Sequence, residues 1–413
     1  MRITDVFARE VLDSRGNPTV EAEVKTQGAF ARAIAPSGAS TGVHEAHELR
    51  DGGKRFLGKG VLNAVQNVNG IIAPELIGME VSEQQKIDKK MIALDGTGNK
   101  SNLGANAMVA VSMAAMKAAA CEKKKQVYQH LGGNILPVPM MNILNGGKHA
   151  GNSLAIQEFM IIPKWPRSFR NAMEMASETY HVLGKRLEKK YGAGARNVGD
   201  EGGFAPNLKD CACALEEIIS AVEEAGYGNE IGIGLDAAAS SFYDAKSGKY
   251  FIDGRRLDSG ALMDYYAEIV PKYRIISVED PFHEEDFGSF AAMTAKLGAK
   301  VQIVGDDLLV TNPERLGVAV KRKAVNALLL KLNQIGTVSE SMKVAEMCRK
   351  NNIRVVVSHR SGESEDSFIA DFAVGIGAGQ IKAGAPARGE RTAKYNQLLR
   401  IEEDRHAVMA RVF

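Results

Sequence analysis

Three acidic residues carry the strongest chemical signal in this 413-residue chain. Asp236, Glu279 and Asp306 each end a short apolar run, Ile231 to Leu235, Ile275 to Val278 and Val301 to Gly305. The pattern continues with Lys331 after Ala327 to Leu330, His359 after Val355 to Ser358, and Lys382 after a shorter run. If the runs are neighbouring strands, three carboxylates converge on one point. Like charges in a small cavity repel strongly unless a cation lies among them. Only oxygen ligands are offered, so a hard ion is expected, Mg²⁺ before Zn²⁺. The plainer alternative makes each acid the cap of the next helix. Three acids in successive units favour the ion.

Lys331 and Lys382 extend the same chemistry. A lysine beside bound cations has its pKa pushed down and can act as a base or as a fixed positive charge. The alternative is two lysines that neutralise the acids with no metal needed. Arg360 and Ser361 suit a phosphate or carboxylate, unless Ser361 is a helix N-cap beside an exposed arginine. Glu201, in Asp200-Glu-Gly-Gly, stands where a strand ends in flexible backbone and is a candidate general acid. His149, in the 145–151 loop, is either a residue that folds over a substrate or merely exposed. Two nucleotide-binding leads close. Residues 53–59 match GxxxxGK but Gly60 follows in place of Ser or Thr, and the glycines at 375, 377 and 379 lack GxGxxG spacing.

The elements that must hold these residues follow from their rhythm. Apolar runs about one βα unit apart, with amphipathic segments such as 313–323 and 337–350 between them, are the grammar of a parallel β/α barrel. Its chemistry sits at the C-terminal strand ends. Residues 137–144 and 157–163 both read as strands, yet only a Gly/Asn-rich loop joins them. Parallel neighbours need a crossover, so this pair is expected to be antiparallel. Two helices across 167–190 and a strand near 197–200 are expected next. Upstream, Val20 to Val24 alternates like a half-buried strand. Residues 36–42 read as a mobile loop. Helices are expected near 59–76, 82–94 and 104–131, the last stopping at Gly132-Gly133. The division is therefore 1–132 and 133–413.

Composition excludes several classes. Hydrophobic residues make up 45% and charged residues 25%, with a net charge of only +2, so no bulk basic field exists for nucleic acid or membranes. Lys123 to Lys125 reads as a solvated helix face. The most apolar stretch, 104–121, is interrupted by Lys117 and reads as a buried helix, not a membrane span. Cys121, Cys211, Cys213 and Cys348 form no CxxC pair. With no apolar signal core at the N-terminus, a reduced, cytoplasmic protein is expected.

Several separated segments also resemble one family. They include Leu12-Asp-Ser-Arg-Gly-Asn-Pro-Thr-Val, Pro36-Ser-Gly-Ala-Ser-Thr-Gly, Gln157-Glu-Phe-Met-Ile and Val198-Gly-Asp-Glu-Gly-Gly-Phe-Ala-Pro-Asn. Leu235-Asp-Ala-Ala-Ala-Ser, Lys331-Leu-Asn-Gln-Ile-Gly, Ser358-His-Arg-Ser-Gly-Glu and Ile381-Lys-Ala-Gly-Ala-Pro-Ala-Arg continue the series. In this order they resemble the enolase family, from the first residues to about Glu403. The resemblance implies an α/β fold, a modified TIM-type barrel with a ββαα start under an N-terminal α+β capping domain. It implies reversible dehydration of 2-phosphoglycerate to phosphoenolpyruvate by a homodimer or dimer-based octamer. Asp236, Glu279 and Asp306 would hold a first Mg²⁺, and Ser40 would help hold a second that arrives with substrate. Lys331 would be the base at C2 and Glu201 the acid. His149, Gln157, Glu158, His359 and Lys382 would line the substrate, with Arg360 and Ser361 on its phosphate. Enolase-superfamily sites are themselves a standard example of a Lys or His base paired with Mg²⁺, so that pairing is not deduced from this chain. Ser364 stands where Thr is expected, a hydroxyl-for-hydroxyl change. The rivals are another superfamily lyase or isomerase, and an enolase-like surface-binding module.

Overall fold

Two halves of different grammar make up the computed structural model, which describes residues 1–39, 42–147 and 150–413. The first half starts as a three-stranded antiparallel sheet, β1 (Ile3–Leu12), β2 (Pro18–Thr26) and β3 (Phe30–Ile34), with β2 in the centre. The sequence suggests one wet face for β2, yet Glu21 and Glu23 are both buried. Arg9 on β1 explains this, pairing with Glu21 and, at 2.7 Å, with Glu23. Two carboxylates can leave water only beside such a cation.

The Ala-rich helix Ala105–Glu122 packs on β2 and β3 and is buried almost all round. Small side chains let strands and barrel approach it from several sides. Its Lys117 ends on Asp366 at 2.7 Å. The expected 104–131 helix is in fact two. Lys123 to Lys125 form the turn before a short helix, Val127–Leu131, which opens with a capping box from Gln126 to Gln129. The lysines therefore lie on a solvated turn and not on a helix face. That short helix ends at Gly132, whose φ of 87° is left-handed. Among the described residues no helix is long and apolar enough to cross a membrane.

The second half is a closed eight-stranded barrel. Its strands are β4 (Val138–Asn145), β5 (Glu158–Pro163), β6 (Ile231–Asp236), β7 (Ile275–Glu279), β8 (Gln302–Gly305), β9 (Ala327–Leu330), β10 (Arg354–Ser358) and β11 (Gly379–Lys382), and β11 closes on β4. As the loop between them requires, β4 and β5 are antiparallel, and β5 also runs against β6. The other neighbours are parallel. The reversed strand matters for the site. It puts the first residue of β5, Glu158, level with Asp236, the last residue of β6.

Two helices do follow the strand pair, but not where the spacing predicts them. One helix, Phe169–Tyr191, fills the first stretch, and the second is Cys211–Glu224. Residues 197–200 form no strand; Val198 makes one isolated bridge to Phe204. Gly202 and Gly203 let this backbone press onto the barrel rim. A Cβ at Gly203 would stand 2.3 Å from Asn145 Oδ1, closer than side chains tolerate.

The barrel interior is layered. Val138, Met140, Met160, Ile162, Val304, Ala327, Leu329 and Val356 fill the lower end. Beside them Gln302, the first residue of β8, and Gln380, in register with Val138 and Val356, exchange amide hydrogen bonds of 3.1 and 2.9 Å. The ionic groups lie at the upper end. A buried amide stripped of its partner keeps its desolvation cost. Gln380→Leu is therefore expected to cost about 1–3 kcal/mol of stability, measured as a lower urea midpoint. Gln302→Leu in the same chain should recover part of it.

Candidate active site

The barrel register brings the strand-end acids side by side. Glu279 pairs with Asp236 and Asp236 with Glu158, all buried at the upper rim. Lys382, ending β11, reaches across to them. Its Nζ lies 2.9 Å from Asp236 Oδ2, 2.9 and 3.0 Å from the two Glu279 oxygens, and 3.2 Å from Glu158 Oε2. Asp306 has a different partner, Lys331 Nζ at 2.5 Å on Oδ2, while Gln334 donates to Oδ1 at 2.9 Å.

The charges shift one another. Burial, then repulsion from Glu201, raises the Glu158 carboxyl well above its usual range. Burial and then Asp236 do the same to Glu279. For Asp306, burial pulls upward but Lys331 outweighs it, so its carboxyl is held low. Burial lowers Lys331, and the surrounding carboxylates, Asp306 first and then Glu279, more than reverse that. The ammonium is thus raised in this arrangement; a depressed lysine requires cation charge close beside it.

The helix-cap alternative for the three acids does not hold. The helices that follow them, Ser259–Lys272, Phe287–Leu297 and Pro313–Arg322, are capped by Asp258, Asp286 and Asn312. Nor does Ser361 cap a helix, since the next one starts at Phe368. Arg360 is buried, not exposed.

Arg360 donates to both oxygens of Glu45, at 2.8 and 3.1 Å, and to Asn333 Oδ1 at 3.2 Å. Ser361 Oγ accepts from the Ala39 amide at 2.6 Å. Ser37 and Gly362 exchange backbone hydrogen bonds of 2.9 and 2.8 Å. The start of the 36–42 loop is therefore tied directly to the arginine–serine segment. Ser40 and His149, both named from the sequence, lie outside the described residues.

Glu201 enters from the glycine-rich segment after helix Phe169–Tyr191. Asn142 on β4 donates to its Oε2 at 3.1 Å, and His359 Nε2 faces the same atom at 3.4 Å. Gln157, Glu158, Glu201, Asp236, Asp306, Lys331, His359, Arg360, Ser361 and Lys382 all line one pocket of about 300 Å³, its mouth included. Glu279 is fully buried on Lys382. Gln157 Oε1 is buried with no hydrogen-bond partner among the described residues. The donor set is all oxygen and ringed by buried charge, which fits a hard divalent cation.

Sequence reading missed four supporting residues. Glu45 and Asn142 have no local pattern. Asp280 does have a signal, the doublets Glu279-Asp280 and Asp306-Asp307. Its φ is 41°, and its two oxygens accept from the Asp306 and Asp307 amides at 3.0 and 2.7 Å. Among the described residues, Asp280, Asp306 and Asp307 form the acid group whose ligand atoms lie within 4.8 Å of one another. Because Asp280 already serves two backbone amides, we read it as the residue that sets the Asp306 turn. The fourth is Arg391, wholly buried behind His359.

Comparison with known proteins agrees with this arrangement. The family model "Enolase, N-terminal domain" matches residues 3–131 and "Enolase, C-terminal TIM barrel domain" matches 133–410. Enolase of Thermococcus gammatolerans is 60% identical over 407 residues, 97% of this chain and 95% of that protein. Enolase of Methanocaldococcus jannaschii is 58% identical over 406 residues, with 97% and 95% covered. Enolase of Pyrococcus furiosus is 57% identical over 411 residues, with 98% and 96% covered. Two family models in chain order, and relatives that share more than half their residues along nearly all of both chains, leave one assignment: this chain belongs to the enolase family.

Proposed function

We propose that the chain interconverts 2-phosphoglycerate and phosphoenolpyruvate as a hydro-lyase, with Lys331 as base and Glu201 as acid. The observation that carries this reading is their placement. Lys331 follows β9, and Glu201 reaches in over β4, with β10 and β11 between them, onto one pocket. An anti elimination needs its base and acid on different sides of the substrate.

The remaining roles follow from charge and position. Arg360 and Ser361 hold the phosphate, since a guanidinium fork and a hydroxyl match its oxygens. Gln157, Glu158, His359 and Lys382 line the substrate, with His149 added from outside the described residues. Asp236, Glu279 and Asp306 hold the first Mg²⁺, and Ser40 assists the second when substrate arrives. Bound Mg²⁺ supplies electrostatic stabilisation for charge developing on the substrate carboxylate. Lys331 takes the C2 proton. Glu201 gives its proton to the departing hydroxyl, which leaves as water. Asn142 then holds the resulting carboxylate.

We place the domain boundary at 132/133, where the two family matches meet and a left-handed glycine ends a helix. A cytoplasmic homodimer or dimer-based octamer is the assembly we propose, and light scattering separates the two. Turnover, followed as phosphoenolpyruvate absorbance, is expected to vanish in excess chelator and return with Mg²⁺. Asp306→Ala should cripple Mg²⁺ binding without substrate. Full turnover in excess chelator would remove the basis of the metal assignment.

A further inference from the structure

Arg391 lies near the start of helix Gly389–Glu402 and is wholly buried, although no strand-end pattern points to it. Its Nη1 lies 2.6 Å from His359 Nδ1 and 2.6 Å from the Arg360 carbonyl. Its Nη2 lies 2.9 Å from the Asp200 carbonyl and 2.6 Å from the Ser361 carbonyl. The two terminal nitrogens carry four hydrogens, and the four acceptors match them one for one. Arginine has donors only and is not deprotonated in proteins. Nδ1 of His359 must therefore be the acceptor, and the ring's proton belongs on Nε2.

We propose that Arg391 is a positioning residue that locks His359 as the neutral Nε2–H tautomer and joins the arginine–serine segment to the loop carrying Glu201. The inference deepens the reading of Glu201 as acid and rests on it for the effect on turnover. The tautomer itself does not depend on that reading.

The consequence for Glu201 is specific. Asn142 Nδ2–H donates to Oε2 at 3.1 Å, and His359 Nε2 stands 3.4 Å from the same oxygen, near enough for its N–H to close onto it when Glu201 moves. With the Asn142 donor on Oε2 and an Nε2–H beside that oxygen, the carboxyl proton belongs on Oε1, the atom that then protonates the leaving hydroxyl. Once that proton has gone, the same two donors face the new carboxylate. An imidazolium would turn Nδ1 into a donor against a guanidinium, an arrangement with no acceptor between them.

Among the described residues the charged groups acting on His359 are Glu201 from the glycine-rich loop, Arg391 from the helix and Glu363 from its own loop, with Arg360 next to it in the chain and Lys382 on the neighbouring strand, whose carbonyl accepts the His359 amide. Lys394 neutralises Glu363 at 2.8 Å. Burial first, then Arg391, lowers His359 to about 4, while Glu201 and Glu363 oppose the shift. A histidine lowered in the folded state is neutral above its unfolded pKa, and its contribution to stability is lost as pH falls through the window from about 6.5 to about 4. Removing Arg391 should raise the His359 pKa and carry the acid limb of kcat/KM upward in pH.

The test is a long-range ¹H–¹⁵N spectrum of the full chain labelled at histidine, with His359 assigned by its disappearance in His359→Gln. At pH 7.5 the parent chain is expected to show Nε2–H with Nδ1 bare. An Nδ1–H tautomer or an imidazolium would overturn the proposal without any variant, and would leave the Glu201 assignment standing. Arg391→Met is expected to lose the single tautomer, lower kcat on the order of 10²-fold with a smaller change in KM, and raise the acid limb. Arg391→Lys, which offers three hydrogens from one atom, should restore the neutral ring better than the carbonyl contacts. If Arg391→Met folds, and loses activity with the tautomer and acid limb unchanged, Arg391 is structural only and the proposal falls. If Arg391→Met does not fold, the parent spectrum and Arg391→Lys decide.

Discussion

Lys331→Ala is expected to lower turnover by at least the ~10²–10⁴-fold that a positioned base supplies. The loss should be larger than for an isolated base because Lys331 has two attachments to the site. It is the group placed to take the C2 proton, and it is the cation against Asp306, with the Nζ–Oδ2 contact at 2.5 Å. Removing one partner of a buried pair leaves the other charge uncompensated. The raised Asp306 carboxyl that follows would also weaken Mg²⁺ binding at neutral pH. Two measurements separate these effects. Saturating Mg²⁺ should repair the binding defect but not turnover. A variant restored to parent turnover by Mg²⁺ alone would show that Lys331 acts only through Asp306.

Glu201→Gln is expected to stop dehydration by a comparable ~10²–10⁴-fold, with little effect on folding. Glutamine keeps the shape of the side chain. Its carbonyl oxygen can replace Oε2 as the acceptor from Asn142 at 3.1 Å. It cannot protonate a hydroxyl, and hydroxide is a poor leaving group. The affinity for 2-phosphoglycerate should therefore survive, because Arg360 and Ser361 are untouched. A variant that dehydrates at the parent rate would contradict the assignment of Glu201.

How much of this was legible depends on whether the physics is local. Asp236, Glu279, Asp306, Lys331, His359 and Lys382 were readable because each closes an apolar run of strand length. A parallel barrel turns that one-dimensional pattern into a ring. Glu158 escapes the rule because β5 is reversed, so its ionisable residue begins the strand instead of ending it. Only family resemblance named it and its neighbour Gln157.

Other features depend on contacts distant in sequence. Glu45 meets Arg360, and Arg391 meets His359, from segments with no periodic signal of their own. The Glu201 loop reads as a strand end, but Gly203 presses its backbone against Asn145 and Gly202 against Ala385 and Ala387, and only the isolated Val198–Phe204 bridge forms. The helix expected through 104–131 breaks at Lys123 to Lys125 because that segment turns toward a new capping box. Propensity alone favours continuing the helix. Buried glutamates on β2 were misjudged for a similar reason, since alternation cannot show that Arg9 lies alongside.

The order of proton transfers is the central claim, and exchange at C2 tests it most directly. In heavy water with 2-phosphoglycerate and Mg²⁺, NMR reports both loss of the C2 proton and formation of phosphoenolpyruvate in one tube. If Lys331 acts first and Glu201 second, Lys331→Ala loses exchange and dehydration together. Glu201→Gln then loses dehydration but keeps measurable exchange. Exchange that persists in the Lys331 variant and disappears in the Glu201 variant would contradict the account and reverse the two roles.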